Sequence, residues 1–448
     1  MPEDSAAPAV ENSPPAPHSR FQVMFRALQH RNFQLFFGGQ LISLIGTWMD
    51  TVAEAWLVYR LTGSSLLLGT VAFAGQIPVF LLAPLGGMAA DRWNRRSIVI
   101  ATQSSSMVLA GILAGLTLSG RVKVWEVIML AAFMGVVNAF DIPARQAFLV
   151  EMVGREDLMN AIALNSSMFN GARVIGPAVA GILVASIGEG WCFFANSVSY
   201  IAVITGLLLM KIAPREIEHR GESAIEHIAE GFRFVRHTKP ILALLLLLGL
   251  VSLVAMPYSV LMPVFAARIL HGNARTLGIL MGATGVGALT GALILASKQG
   301  LKGLGSWVAF SCGGFGATLI LFSFSHWYFV SIAFLVPVGL FMMVQMASSN
   351  TLIQAMVPDR LRGRTMAVYS MMFMGMAPLG SLLAGVLAQH IGAQWTVGIG
   401  GLCAIGGAFV FGSILPQLRI EARQLILAQG IAGGEPAGNM TTRALERS

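Results

Sequence analysis

Two acidic residues four positions apart, Asp50 and Glu54, lie in an otherwise apolar run of this chain. Residues four apart share a face of a helix, so the spacing predicts two carboxyls side by side where charge is disfavoured. Such a pair suits a proton carrier or a site for a cationic substrate. A hydrated vestibule position is the plainer alternative. Asp141 and Arg173 are further ionisable residues at or within apolar runs. A charge at a bilayer centre costs about 2.5–3.5 kcal/mol on the insertion scale, so it is usually paired, wetted or functional. A guanidinium does not give up its proton. Arg173 can instead pair with Asp141, hold an anionic substrate, or repel protons when a carboxylate is loaded. The neutral polar residues Gln76, Asn165, Asn170 and Gln345 can face a cavity or glue helices together.

The elements that must position these groups follow from hydropathy. Of 448 residues, 55% are hydrophobic and 11% charged, with a mean hydropathy of +0.72, whereas soluble domains carry about 25% charged residues. A soluble core cannot hide this much apolar surface, so lipid must be the solvent for much of the chain. A helix needs about 20 apolar residues to cross a bilayer. Twelve candidate spans occur, near 33–59, 66–90, 97–119, 124–144, 158–187, 190–210, 241–265, 275–297, 303–324, 327–349, 364–388 and 393–415. They are too long and too continuously apolar for barrel strands. With the chain ends cytoplasmic and the spans alternating, 23 of the 29 Lys and Arg fall on the cytoplasmic side, as the positive-inside rule requires. The net charge of +8 is thus a matter of topology, and no basic face suited to nucleic acid is visible. Cys192, Cys312 and Cys403 all fall within predicted spans and suggest no disulfide or metal framework. The Pro/Ala/Ser-rich N-terminus lacks the pattern of a cleavable signal peptide.

The spans divide evenly around a polar stretch. The expected organisation is a cytoplasmic tail over 1–32, a six-helix bundle over 33–210, and a linker over 211–240. A second bundle over 241–416 and a tail over 417–448 follow. Within the linker, Ile225, Ile228, Phe232 and Val235 recur at helical spacing opposite Glu226, Glu230 and Arg233, which predicts an amphipathic helix at the membrane surface. A shift of 204 residues lays span five on span eleven: Gly176, Gly181 and Gly188 meet Gly380, Gly385 and Gly392. Small residues let a neighbouring backbone approach, so equal packing demands at equal positions imply two halves of one design.

One charged turn interrupts the apolar runs, Gly87-x-x-x-Asp91-Arg92-x-Asn94-Arg95-Arg96. It resembles the loop between helices two and three of the major facilitator superfamily, with Asn94 at a position that is usually glycine. That substitution predicts a left-handed backbone at Asn94, and Gly87 is expected to admit close helix packing. The resemblance implies that Asp91 latches the cytoplasmic ends of the two halves and releases them during transport, with Arg145 as an ion-pair partner. The equivalent loop at Ser297–Leu304 keeps Lys298 and Lys302 but has no acidic residue, so a single latch is expected. Span five carries Ala172-Arg173-Val174-Ile175-Gly176-Pro177-Ala178-Val179-Ala180-Gly181, similar to the Gly-Pro signature of that superfamily's exporters. A hinge or a seal at Gly176, Pro177 and Gly181 is implied, with simple helix packing as the alternative. The strings at 138–146 and 357–364, with Leu61-Thr62-Gly63-Ser64, resemble the branch that includes the enterobactin exporter and macrolide-efflux proteins.

The expectation is therefore an all-α membrane protein of twelve transmembrane helices in two pseudo-symmetric six-helix bundles, in a bacterial plasma (inner) membrane. It would be a monomeric, proton-coupled, alternating-access exporter of a siderophore, drug or other amphipathic small molecule, with protons as the coupling ion and the lipid bilayer as its surroundings. A lysophospholipid flippase or solute importer is the alternative, and a non-transporting receptor or scaffold a remote one. No phosphate-binding loop of the Gly-Lys-Ser/Thr type occurs, and no catalytic constellation, cofactor motif or metal-ligand pattern is visible.

Overall fold

The computed structural model describes residues 25–154, 156–212, 224–298, 300–428, 431–432 and 435–436. The expected tail residues 1–24 and 437–448 and the linker residues 213–223 lie outside the described residues, as do the side chains of 224–228. Twelve helices are long and apolar enough to cross a membrane. They are α1 (Arg31–Thr62), α2 (Ser65–Arg92), α3 (Arg95–Leu118), α4 (Val124–Val153), α5 (Leu158–Ile187) and α6 (Glu189–Leu209) in the first half. A short helix, α7 (Ala224–His237), separates these from α8 (Lys239–Ile269), α9 (Ala274–Ser297), α10 (Leu304–Ser323), α11 (Tyr328–Met356), α12 (Asp359–Ile391) and α13 (Ala393–Ala428). The last helix thus runs twelve residues beyond Pro416.

Local chemistry explains the boundaries. Gly63 ends α1 at φ 61°, and the Ser64 side chain then accepts the Leu67 N–H to start α2, as an N-cap should. Gly188 and Gly392, paired by the 204-residue shift, close α5 and α12 at φ 89° and 86°, a region open to glycine. Helix α8 is the irregular one. It is α-helical to Leu250, then π-helical over Val251–Ala255, 3-10 over Met256–Leu261 and π-helical again over Phe265–Ile269. Pro257 and Pro263 fall in this stretch; each lacks the N–H of a regular turn.

Lipid gives helices little reason to associate by apolar burial, so close packing holds the bundles together. In the first bundle Phe33, Phe36, Phe148 and Phe193 are fully enclosed, and in the second Phe265, Phe315 and Phe322. The Phe265 and Phe322 rings meet at a tilt of 31° with centroids 4.6 Å apart. Helix α7 docks on α12, with Gly231 against the backbone of Arg364 and Glu230 ion-paired to that arginine.

The two bundles meet along two seams. In one, Gly181 of α5 faces Gly278 of α9; a Cβ built on Gly181 would lie 3.0 Å from the Gly278 Cα. In the other, Gly385 of α12 faces Gly69 of α2, and a Cβ on Gly385 would lie 3.0 Å from the Gly69 Cα. Gly181 and Gly385 are repeat partners, so the seams are pseudo-symmetric. Both lie toward the face opposite the described chain ends, where Ser64 also donates to Gln389 at 3.4 Å. Nearer mid-membrane, Gly285 packs on the backbone at Arg173 and Val174, and Gly375 on the Phe80 ring. Among the described residues, every glycine crossing between the bundles lies between mid-membrane and that one face.

Candidate functional site

A cavity of ≈ 410 Å³ lies between the bundles just inside the seams. Helix α1 contributes Trp48, Thr51 and Glu54, α2 contributes Gln76, α4 contributes Met134 and Asn138, and α5 contributes Arg173 and Pro177. The second bundle supplies Tyr258, Ser259 and Met262 from the irregular part of α8, and Met281 and Thr284 from α9. The Arg173 guanidinium lies over the Trp48 ring, 5.7 Å from its centroid, a cation–π distance. Phe169 meets the same indole edge-on. The Gly176 backbone packs on α1 beside Trp48 and Met49, so the Gly-Pro segment fixes both the indole and the arginine above it. Helix α5 stays continuous through Pro177. Gly278 approaches the Pro177 carbonyl, which puts the proline in the seam and on the cavity wall together.

The acidic pair on α1 divides. Glu54 lines the cavity, and Asp50 does not. Four residues advance a helix by about 400°, so Glu54 sits about 40° further round than Asp50. Asp50 shares its side of α1 with Gly46, which packs against Asn196 and Ser199 of α6. Its Oδ1 is buried without a hydrogen-bond partner, and so is Nδ2 of Asn196.

Asp141 is enclosed, 4% exposed. Its Oδ1 accepts from Thr102 Oγ1 at 2.8 Å and Gln103 Nε2 at 2.9 Å, and its Oδ2 pairs with Arg145 Nε at 3.3 Å. This corrects two expectations: Asp141 does not pair with Arg173, and Arg145 does not pair with Asp91. One turn of α4 brings Arg145 to Asp141.

The charged turn is a stapled corner. Arg95 is buried and donates to the carbonyls of Ala90 and Ala147 and to Glu151 Oε1 at 3.0 Å, tying the turn to α4. Arg96 donates to the carbonyls of Leu207 and Leu208 at 2.8 and 3.0 Å at the end of α6, where the Met210 N–H also reaches the Leu207 carbonyl at 3.4 Å. Asp91 is 76% exposed, 3.7 Å from Arg95 Nη2, and Arg92 is exposed. Asn94 has φ −65° and ψ 114°, not a left-handed backbone; it caps α3 by accepting the Ser97 N–H. The close approach expected of Gly87 belongs to Gly86, which packs on the Ala139 carbonyl, whereas a Cβ on Gly87 would meet nothing within 4 Å.

Of the neutral candidates, Gln76 reaches the cavity and Asn165, Asn170 and Gln345 do not. Gln345 is buried in the second bundle with both amide atoms unpartnered. Sequence alone does not mark Tyr258, Thr51 or Thr284 as site residues, and marks Asn138 only as the start of the 138–146 string. The two prolines around Tyr258 were the available signal, since they mark the break in α8.

Comparison with known proteins agrees with this architecture. The family described as transmembrane secretion effector matches residues 23–428. The staphyloferrin A transporter of Staphylococcus aureus is 27% identical over 392 residues, 87% of this chain and 98% of that protein. The multidrug efflux pump Tap of Mycolicibacterium fortuitum is 27% identical, covering 78% of this chain and 88% of its own. The enterobactin exporter EntS of Shigella boydii is 24% identical, covering 88% and 93%. Among solved structures, the nucleoside transporter NupG superposes with a TM-score of 0.67 at 13% identity over 87% of this chain and 99% of that one. A D-xylose–proton symporter gives 0.63 at 13% identity, covering 88% and 97%. With twelve spanning helices, two matched bundles and this family match, the chain belongs to the transmembrane secretion effector family of the major facilitator superfamily and is a transporter rather than an enzyme.

Proposed function

We propose that this transporter is a proton-coupled exporter of an amphipathic small molecule, working by alternating access as a monomer in a bacterial inner membrane, with both chain ends cytoplasmic. The observation that carries the reading is the pair of glycine seams, Gly181–Gly278 and Gly69–Gly385, which join the bundles toward one face only and enclose a cavity holding Glu54. Rocking about the cavity would part these seams and bring the opposite ends together. With the proposed orientation, the structure is closed to the outside, and the exposed Asp91 is a latch at rest that would engage when the cytoplasmic ends meet.

Glu54 is the proton site that faces substrate, and Asp50, sealed against α6, supports it from inside the bundle. The energetics suffice. One proton crossing about 100 mV releases about 2.3 kcal/mol, and one pH unit adds about 1.4 kcal/mol. Together, about 3.7 kcal/mol sustains roughly a five-hundredfold gradient. Export rather than import is supported by the relatives, two of which are named for efflux or export. The test is Asp50→Asn with Glu54→Gln in proteoliposomes. Loss of substrate-coupled proton flux is expected, and undiminished flux removes these carboxyls from the mechanism. Deletion in the native cell should raise the internal level of the cargo; a fall would reverse the direction.

A further inference from the structure

We infer that the cargo is an organic anion, and that Arg173 is the residue that holds it by a planar oxyanion such as a carboxylate. This rests on the cavity being the transport site, as proposed above, and names the chemical class it selects. Four observations lead to it.

The first is charge placement. The cavity wall carries one carboxyl, Glu54, and one guanidinium, Arg173, both from the first bundle. The second bundle's share of the wall, Tyr258, Ser259, Val260, Met262, Met281 and Thr284, is uncharged. The second is that Arg173 has no acidic partner among the described residues. Asp141 is occupied by Thr102, Gln103 and Arg145, and among the described residues no carboxylate oxygen lies within ion-pairing distance of Arg173. A guanidinium within a membrane span and without a counter-ion is costly. The Trp48 face recovers only part of that cost. A substrate oxyanion would recover more, because a guanidinium matches a planar oxyanion with two parallel hydrogen bonds.

The third is the company Arg173 keeps. Trp48, Tyr258 and three thioethers (Met134, Met262 and Met281) form an apolar, polarisable wall that fits a flat or branched hydrocarbon body. Glu54 on the same wall opposes an anion while charged and stops opposing it when protonated. Anion affinity at Arg173 is therefore linked to the protonation state of Glu54. The fourth is position. Gly285 of α9 packs on the Arg173 carbonyl, with a built Cβ 3.1 Å away. Arg173 thus sits where the two bundles touch.

The test uses the purified full chain in lipid nanodiscs, empty nanodiscs as blank, and three matched probes: 2-naphthoate, its methyl ester and 2-naphthylmethylammonium. Calorimetric titration of the wild type should show the acid binding at least roughly tenfold more tightly than the ester, as a bidentate charge-assisted pair implies, and the amine most weakly. Arg173→Gln should bring the acid to the ester's affinity while leaving the ester unchanged. Arg173→Lys keeps the charge and loses the fork, so an intermediate preference is expected. Tighter binding of the amine or the ester than of the acid, no binding of the acid to the wild type, or an acid preference that survives Arg173→Gln overturns the inference. The wild-type comparison decides even if both variants misfold. The two readings can fail separately. A cation preference with intact proton-coupled transport sinks only the anion inference. An anion preference without proton flux sinks only the coupling proposal.

Discussion

Adding one methyl group at a seam should move the whole conformational equilibrium. In Gly181→Ala the new Cβ lies 3.0 Å from the Gly278 Cα and 3.2 Å from the Ala274 carbonyl oxygen. Carbon atoms in contact prefer about 3.5–4.0 Å, so α5 and α9 must separate by a few tenths of an ångström. The obstacle is backbone and cannot rotate aside. Overpacking of this kind costs about 1–3 kcal/mol. Alanine also raises helix propensity by about 1 kcal/mol over glycine, but it does so in every conformation and cancels. The seam-closed state alone is penalised, and its population relative to the seam-open state should fall about 5–150-fold. Gly385→Ala meets Gly69 at the same 3.0 Å and the Ser65 carbonyl at 2.8 Å. The seams share no side chain, so the costs should add, to about 2–6 kcal/mol in the double variant. The assay is a spin-label distance between Ser119→Cys, after α3, and Trp327→Cys, before α11, with the native cysteines replaced. A second, longer distance should appear in each single variant and dominate in the double. Gly171→Ala, where a Cβ meets nothing within 4 Å, is the control. An unchanged distribution in the double variant, or an equal shift in the control, would refute the argument that these glycines hold the bundles closed.

Three further outcomes follow from the first bundle. Asp141→Asn removes the ion pair to Arg145 and sets an amide donor against a guanidinium; a loss of about 1–3 kcal/mol is expected, read as a lower unfolding temperature in detergent with transport per folded molecule retained. Arg96→Gln leaves the Leu207 and Leu208 carbonyls without their cation; because the group is partly exposed, about 1 kcal/mol is expected, checked by chemical unfolding. Asn94→Ala should cost about 1 kcal/mol and Asn94→Gly a few tenths, since Asn94 caps α3 with a φ of −65°; equal costs in thermal unfolding would contradict the capping role.

Much of the architecture was legible because its causes lie along single helices. Twelve apolar runs become twelve spanning helices, since a segment's partition into lipid depends on its own composition. Ile225 to Val235 mark a short helix between the bundles, because apolar periodicity is local. The glycine echo anticipated that Gly181 and Gly385 would serve equal contacts, and each faces another glycine across the bundles. The limits are equally particular. The fractional turn of the helix rotated Glu54 onto the cavity and Asp50 toward α6, a difference of about 40° that residue spacing alone does not resolve. Asn94 looked like a glycine substitute and is an N-cap, because both roles favour the same side chain.

What the sequence determined by itself was the solvent, the number of crossings, the duplication and the presence of a few ionisable groups that lipid would not tolerate without purpose. What only the tertiary structure decided was partnership. Asp141 went to Arg145, Arg173 was left over the Trp48 ring, and Tyr258, Met262 and Thr284 became cavity wall. The physical reason is that hydropathy and small-residue spacing are written into one helix at a time, whereas a binding site exists only where several helices turn particular faces to one another. Neutral side chains such as Tyr258 leave no energetic mark on their own segment until that meeting occurs.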